Sequence, residues 1–319
     1  MWREVDPRES EHERPAPSRG GRVGSESVSV QTSPDARESL TRDLDLPRGP
    51  RRERFRQHGR EYELRGSEVR TLAAAGTFRV VCASDLRDGY RDAASLHRDL
   101  LHLREQGLVT TRPYVVGHTR TALVTLTGRG RDVLDAARRE RSAERAQCFY
   151  AGVSKPRELA HDVRVYRAYE RSVERLAARG ARVRRVVLEE ELKRDYQRFL
   201  QANNRGRREA TGRPDRTADE IAQWAREHQL ACHDGHVDLP DLRLEYEERD
   251  GRHAVEDVEV TTPHYRGRHA AAKARAGFTC YRAVGARLGG SRGGGASRGG
   301  QGRRGRRAFD PRVAEELLS

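Results

Sequence analysis

The sequence predicts an α+β fold in which two modest domains lie between unstructured ends. Of the 319 residues, 35% are hydrophobic and 35% are charged, so the chain holds enough apolar side chains for about two modest cores. Apolar residues recur at helical spacing in some segments and alternate with polar residues in others. A net charge of +14 and a pI near 10.2 favour a polyanionic partner, for which nucleic acid is the first candidate.

The two ends of the chain differ in composition from the middle. Residues 1–63 are rich in Arg, Glu, Ser and Pro and lack a sustained apolar period, which predicts disorder. Residues 285–308 are rich in Gly and Arg and predict a flexible tail. Such a tail either binds nucleic acid without sequence preference or serves only as a spacer. Residues 309–319 predict a short terminal helix.

Three helices are predicted in the first domain, which spans residues 64–142. Ser67 is a capping residue for the first helix, and a short extended segment follows at 77–81. A second, short helix comes next. The third spans residues 92–106, where leucines recur at helical spacing and Gly107 supplies the left-handed stop.

A β-hairpin and a closing helix complete this domain. The strand-like segments 108–116 and 121–126 flank a four-residue loop, and Thr127 caps the last helix. Helix, helix, helix, hairpin, helix is the order of a winged helix-turn-helix, whose third helix enters the DNA major groove while the hairpin rests on the backbone or minor groove. The stretch from Asp99 to Val109 resembles the exit of the recognition helix in bacterial winged-helix regulators.

Candidate DNA contacts are polar or basic residues on the exposed face of the third helix and on the hairpin. They are Arg91, Ser95, Arg98, His102, Arg112, His118 and Arg120. The expected partner is double-stranded DNA. Asp92 and Asp99 lie on the same helix and weaken that expectation, and contact with another protein is the alternative use of this surface.

The second domain is predicted over residues 157–284. It begins with an amphipathic helix that stops at Gly180, followed by a strand at 181–188. A helix with a capping box at Thr217 is inserted before two acidic strands, and a basic helix and a last strand at 278–284 close the domain. Without the inserted helix, the order is helix, strand, strand, strand, helix, strand.

Three acidic residues on the two acidic strands form the candidate catalytic site. They are Asp241, Asp257 and Glu259. Residues two apart on a strand are about 7 Å apart and share a face, so these carboxylates are close enough to raise one another's pKa unless a cation compensates. Magnesium is the usual cation for such a set, and it predicts phosphodiester chemistry. The alternative is the solvated face of an exposed hairpin.

The Pro-Asp on the first acidic strand and the acidic pair on the second resemble the PD-(D/E)xK nuclease core. Glu259 stands where that motif expects lysine, and Lys273 on the following helix is the candidate for the missing positive charge. A winged helix followed by such a core resembles the replication-relaxation family of plasmid and mobile-element proteins, over residues 66–284. His161 in the opening helix and Tyr281 in the last strand also carry this resemblance.

The resemblance implies binding to plasmid or mobile-element DNA and metal-dependent nicking at the start of replication or transfer. In that case Asp241, Asp257 and Glu259 hold Mg²⁺ and Lys273 contacts the scissile phosphate. The alternative is a winged-helix DNA-binding regulator without catalysis, whose degenerate second domain forms a homodimer or recruits a partner. A further alternative is an RNA-binding protein that uses the Gly/Arg-rich tail.

Cysteine usage and hydropathy indicate the cellular compartment in which the protein is expected. The four cysteines include no Cys-x-x-Cys pair, so neither a disulfide framework nor a thiolate zinc site is indicated. The first residues contain no apolar leader, and no stretch approaches the roughly 18 apolar residues of a membrane span. The sequence therefore predicts a cytoplasmic protein with no membrane segment.

Overall fold

The structure is a computed structural model that describes residues 35–90, 92–116, 119–139, 146–153, 158–204, 216–261 and 277–282. Helices and strands both contribute, so the fold is α+β, as predicted. The helices are α1 (Gly66–Phe78), α2 (Ala93–Glu105), α3 (Gly128–Ala136), α4 (Leu159–Ala178), α5 (Glu189–Leu200) and α6 (Ala218–Glu227). The strands are β1 (Glu53–Gln57), β2 (Arg60–Leu64), β3 (Val80–Cys82), β4 (Val109–Val116), β5 (Thr119–Leu126), β6 (Arg182–Leu188), β7 (Cys232–His233), β8 (His236–Val237), β9 (Leu242–Glu247), β10 (His253–Thr261) and β11 (Thr279–Arg282).

Several predictions fall outside these residues. They concern the chain before Asp35, the basic helix that carries Lys273, the Gly/Arg-rich tail at 285–308 and the terminal helix at 309–319. Among the described helices, none combines the length and the apolar character needed to cross a membrane.

The segment from Asp35 to Leu64 is folded, so the predicted disorder of residues 1–63 is wrong for this part. It contains a 3-10 helix, Ala36–Thr41, and the antiparallel hairpin β1–β2. Its apolar residues are few and show no period, yet they are buried in the main core. They are Leu40, Leu44, Leu46, Tyr62 and Leu64. The surface that buries these residues comes from distant parts of the chain, so local composition alone predicts disorder here.

Three strands and three helices form the first half of the fold. The sheet order is β3-β5-β4 and all pairs are antiparallel. Along the chain the order is α1, β3, a short 3-10 helix at Asp85–Gly89, α2, β4, β5 and α3, which is the predicted order. Gly107, with φ of 68°, ends α2, and the Thr127 side chain caps α3, both as predicted. Ser67 lies inside α1, whose N-cap is Arg65, so the predicted cap is wrong.

Four strands form the second sheet, in the order β11-β10-β9-β6. Strands β6, β9 and β10 are antiparallel, and β11 is parallel to β10. Helix α6 starts at the predicted Thr217 capping box. Helix α5 was not predicted, because its polar sequence contains few apolar residues. Helices α5 and α6 and the small hairpin β7–β8 enclose a separate apolar cluster around Trp224.

Helix α4 packs against both sheets and joins the two predicted domains. Near its start, Leu159 and Val163 meet the buried Tyr114 and Leu123 of the first sheet. Farther along, Tyr166 and Tyr169 surround Phe78 of α1, with ring centroids 5.1 and 4.8 Å from it. The main core is therefore shared between the domains, since it also contains residues of β6, β9 and β10.

Tyr169 also fixes the 3-10 helix at the start of the described chain. Its hydroxyl donates to the Ala36 carbonyl at 2.7 Å and lies 2.6 Å from Ser39 Oγ. Tyr169→Phe leaves buried polar groups without this partner and is expected to lower the free energy of unfolding by about 1–3 kcal/mol in urea titrations. Tyr196→Phe, at a half-buried ring, is the control. Equal unfolding midpoints for the two variants would contradict the coupling.

Candidate functional site

The register of β9 and β10 brings the three predicted acidic residues to one end of the strand pair. Leu242 pairs with Val258, so Asp241, which directly precedes β9, lies beside the end of β10. The Val260 amide donates to Asp241 Oδ2 at 2.7 Å. Glu259 follows Val258 and pairs with β11.

Asp257 is bound by an arginine on the neighbouring strand. Arg243 is its cross-strand partner and donates from Nε to Oδ1 at 2.7 Å and from Nη2 to Oδ2 at 2.8 Å. The same guanidinium donates to the carbonyls of His228 and Gln229 after α6. Arg243 is 5% exposed, so its charge and that of Asp257 compensate each other out of solvent. This ion pair fastens the inserted helix to the sheet.

Asp241 meets a histidine from α4. His161 Nε2 lies 3.3 Å from Asp241 Oδ2, and Nδ1 lies 3.8 Å from Asp162 Oδ1. Burial lowers the pKa of His161, but the hydrogen bonds and charges of Asp162 and Asp241 outweigh burial and raise this pKa to about 10. At neutral pH the imidazole is therefore a cation that holds α4 against the acidic end of the sheet.

These contacts decide how well the site suits a metal. Both oxygens of Asp257 accept from Arg243, and Oδ2 of Asp241 is shared by the Val260 amide and a cationic His161. The donor set does not fit a bound Mg²⁺ ion unless Arg243 releases Asp257. Within the described ranges, no group of three or more His, Cys, Asp or Glu is arranged to hold a metal ion. Lys273 lies outside these ranges, and the magnesium site stays a prediction.

The two acidic residues that the sequence places on α2, Asp92 and Asp99, both have partners within the protein. Asp99 is fully buried and accepts from Arg65 and from Ser67 Oγ, the latter at 2.6 Å. Asp92 is the N-cap and accepts from the Ser95 amide at 2.7 Å. The helix N-terminus therefore compensates the charge of Asp92, and that of Asp99 is neutralised inside the protein.

His102 contacts protein rather than forming part of the open face of α2. Its Nδ1 lies 2.8 Å from Glu68 Oε1, and the fully buried Glu68 also binds Arg52. The exposed residues of α2 lie along one face of the helix. Counting i, i+4 and i+7 from His97 identifies the same face. They include His97, Arg98, Leu101 and Arg104. Sequence reasoning missed Leu101 and Arg104 as candidate contacts, although their spacing identifies them.

The two described arginines of the hairpin lie on opposite faces of the sheet. Arg120 pairs with Val115, and their face also bears Val124, which packs in the core with α1 and α2. Arg112 pairs with Leu123, whose side chain packs against α4. Only Arg120 is therefore on the same side as α2. Arg91 and His118 lie outside the described residues.

Comparisons with known proteins identify no relative. No family model matches the chain, and neither curated proteins nor solved structures give a match. The resemblance to the replication-relaxation family therefore stays a prediction that rests on short motifs.

Asp257→Asn is expected to destabilise the fold by about 3 kcal/mol, because it leaves the buried Arg243 guanidinium without its counter-ion. Repulsion among crowded carboxylates alone would predict the opposite, namely a gain in stability for this variant. Asp250→Asn is the matched control, since Asp250 pairs with Arg252 on an exposed turn where both side chains are more than half exposed. Chemical denaturation without metal measures the free energy of unfolding of both variants. A gain in stability for Asp257→Asn would show that crowding dominates.

The His161 contacts predict a pH-dependent contribution to stability. The folded pKa lies near 10, above the ordinary value of 6.5, so the contribution is complete below about pH 6.5 and is lost as pH rises toward 10. The difference in unfolding free energy between the wild type and His161→Gln should therefore shrink over that window, by an amount of order 2 kcal/mol. His236→Gln, at an exposed histidine, is the control. A constant His161 difference would exclude the ion pair.

Proposed function

We propose that the protein binds double-stranded DNA as a winged helix-turn-helix protein, with α2 in the major groove and the β4–β5 hairpin as the wing. The observation that carries this proposal is the exposed face of α2. It presents arginine, histidine and leucine, while Asp99 is buried and hydrogen-bonded on the opposite side of the same helix. Such a face is suited to base edges and phosphates.

Buried ion pairs hold α2 in a fixed orientation. Glu68 and Asp99 are both fully buried, and Arg52 lies within ion-pair distance of each, at 2.7 and 3.7 Å. Arg65 binds Asp99, and His102 binds Glu68, so α1 and α2 are fastened at two successive turns of α2. A rigid helix orientation supports direct readout because base contacts require a fixed approach to the groove.

The side chains on this face match particular chemical groups of duplex DNA. Arg98 Nη2 donates to Ser95 Oγ at 3.0 Å, which orients the guanidinium along the first turns of α2. An arginine in the major groove suits the O6 and N7 acceptors of guanine, and a leucine suits the thymine methyl group. Leu101 is 43% exposed, and among the described residues only one other large hydrophobic side chain, Val115, is as exposed. Arg120, on the same side of the sheet, is placed for a phosphate or the minor groove.

The acidic end of the second sheet favours the non-catalytic form of this proposal. Arg243 and His161 neutralise Asp257 and Asp241 and tie them to α6 and α4, so these carboxylates act as structural counter-ions. In this form the second half of the chain supports the DNA-binding half through the shared core. Nicking of supercoiled plasmid that requires Mg²⁺ and is abolished in Asp257→Asn would instead support the nuclease suggested by the sequence motifs.

Removal of the two arginines on the α2 side should weaken DNA binding. A duplex selected from a random pool is titrated by fluorescence anisotropy against the full chain. The Arg98→Ala, Arg120→Ala double variant is expected to lose about 2–4 kcal/mol of binding free energy, and the slope of log K against log salt should fall by about 1 to 2.

The control removes the same charge from elsewhere on the surface. Arg131 of α3 and Arg252 of the β9–β10 turn are exposed and pair with neighbouring acidic residues. The Arg131→Ala, Arg252→Ala variant should keep the wild-type affinity and salt slope. Equal affinity for both double variants would remove α2 and the hairpin from the interface.

A further inference from the structure

A cavity of about 640 Å³ lies where four elements meet. The 3-10 helix Ala36–Thr41, the first turn of α1, the end of α4 and the start of β6 all contribute to its walls. Its volume is within the range of about 300–1,000 Å³ that is typical of small-molecule sites. Neither the α2 face nor the acidic strand end contributes to it, so the DNA-binding proposal leaves this cavity unexplained.

The cavity walls carry an excess of positive charge. Four arginines line it, Arg42, Arg48, Arg70 and Arg182, against two carboxylates, Asp35 and Glu38. Asp35 is already bound by Arg37, whose guanidinium is 2% exposed. Arg42, Arg48 and Arg182 form no ion pair with a carboxylate in the described part of the chain. Arg48 donates instead to the carbonyls of Arg42 and Leu44, and Arg182 lies across the strand pair from Glu247. The excess charge of the lining therefore lies mainly on Arg42 and Arg182, which Asp43 and Glu247 compensate only in part.

Two of the arginines show that this charge is compensated only in part. Arg70 forms ion pairs with Asp35 and Glu38, at 3.0 and 3.9 Å, but its buried Nε has no aligned hydrogen-bond acceptor among the described atoms. Burial lowers the pKa of Arg42, and the positive charges of Arg184 and Arg182 lower it further, against the opposing effect of Asp43 and Glu247. An anion among these side chains would accept the unused donors and reduce their mutual repulsion.

Part of the remaining lining is apolar. Pro47, Val173 and Ala177 are half-buried and line the cavity beside the arginines, together with the hydroxyl residues Ser39 and Thr41. A purely inorganic anion would leave this apolar surface in contact with water, whereas an organic body would cover it. A site with apolar walls and a few charged groups at one side is typical of pockets that hold amphipathic small molecules.

We propose that this cavity binds a small amphipathic organic anion. Its carboxylate, sulfonate or phosphate lies among Arg42, Arg70 and Arg182, and its apolar body packs on Pro47 and Val173. The molecule is a free solute rather than a lipid in a bilayer, because the apolar walls are recessed in a cavity instead of forming a surface patch. Since the walls come from both halves of the fold, the bound anion also fastens α1 to α4 and β6.

The probe is 8-anilinonaphthalene-1-sulfonate, an aromatic anion that fluoresces when it leaves water. Fluorescence titration and calorimetry of the full chain should show one saturable site. The Arg42→Gln, Arg182→Gln double variant should bind about tenfold more weakly, because two charge-assisted contacts are lost. The Arg131→Gln, Arg252→Gln variant removes the same charge elsewhere and should match the wild type.

Two further measurements separate this site from general apolar binding. Neutral N-phenyl-1-naphthylamine should bind at least about tenfold more weakly than the sulfonate, and Ala177→Phe, which fills the cavity, should abolish the saturable site without a loss of folded structure by circular dichroism. Equal affinity for the neutral probe, or unchanged binding in the Arg42→Gln, Arg182→Gln variant, overturns the proposal. Co-sedimentation of the chain with phosphatidylglycerol vesicles that depends on Arg42 and Arg182 would also overturn it, because it would assign the site to lipid.

Discussion

The packing of α4 against two sheets at once is the constraint on which the rest of the structure depends. Its first turns cover one face of the β3-β5-β4 sheet, its middle surrounds Phe78 of α1, and its later turns lie on the β11-β10-β9-β6 sheet. Polar contacts follow the same path. His161 meets Asp241 at the beginning, and Ser172 and Arg175 bind the buried Glu256 farther along. The position of the proposed DNA-binding face relative to the acidic strands is therefore set by one helix.

Arginine serves as the internal counter-ion throughout this molecule. Asp99, Glu256 and Asp257, whose side chains are at most 10% exposed, are each paired with an arginine. A guanidinium suits this role because it is always charged, weakly hydrated and able to bind both oxygens of a carboxylate. Pairs of this kind rarely add net stability over an apolar core, but they fix register, since a slipped strand would leave both charges buried and unpaired. Acidic residues that are clustered in an arginine-rich sequence thus do not by themselves indicate a metal.

Features that depend on neighbours in sequence could be predicted, and features that depend on distant pairing could not. The stop at Gly107 and the caps at Thr127 and Thr217 were confirmed, because each is a contact within a few residues. The pairing of Asp257 with Arg243 requires the register of β9 against β10, which alternation alone does not specify. The folded segment before α1 was missed for a related reason, since its scattered leucines become a core only against α1 and α4. Binding of duplex DNA by α2 stays a prediction. The burial of Asp99 nevertheless removes from the exposed face a negative charge that would repel DNA.

The cover that α4 provides for the first sheet has a consequence for synthesis of the chain. Val80, Cys82, Tyr114 and Leu123 are all made before residue 124, yet the side chains that bury them, Leu159 and Val163, follow more than thirty positions later. During translation one apolar face of the β3-β5-β4 sheet therefore stays uncovered until α4 leaves the ribosome. In that interval the nascent chain is a substrate for chaperones and a risk for association with other nascent chains. Transfer of the first half alone into another protein would therefore leave the face that bears Tyr114 and Leu123 without its cover.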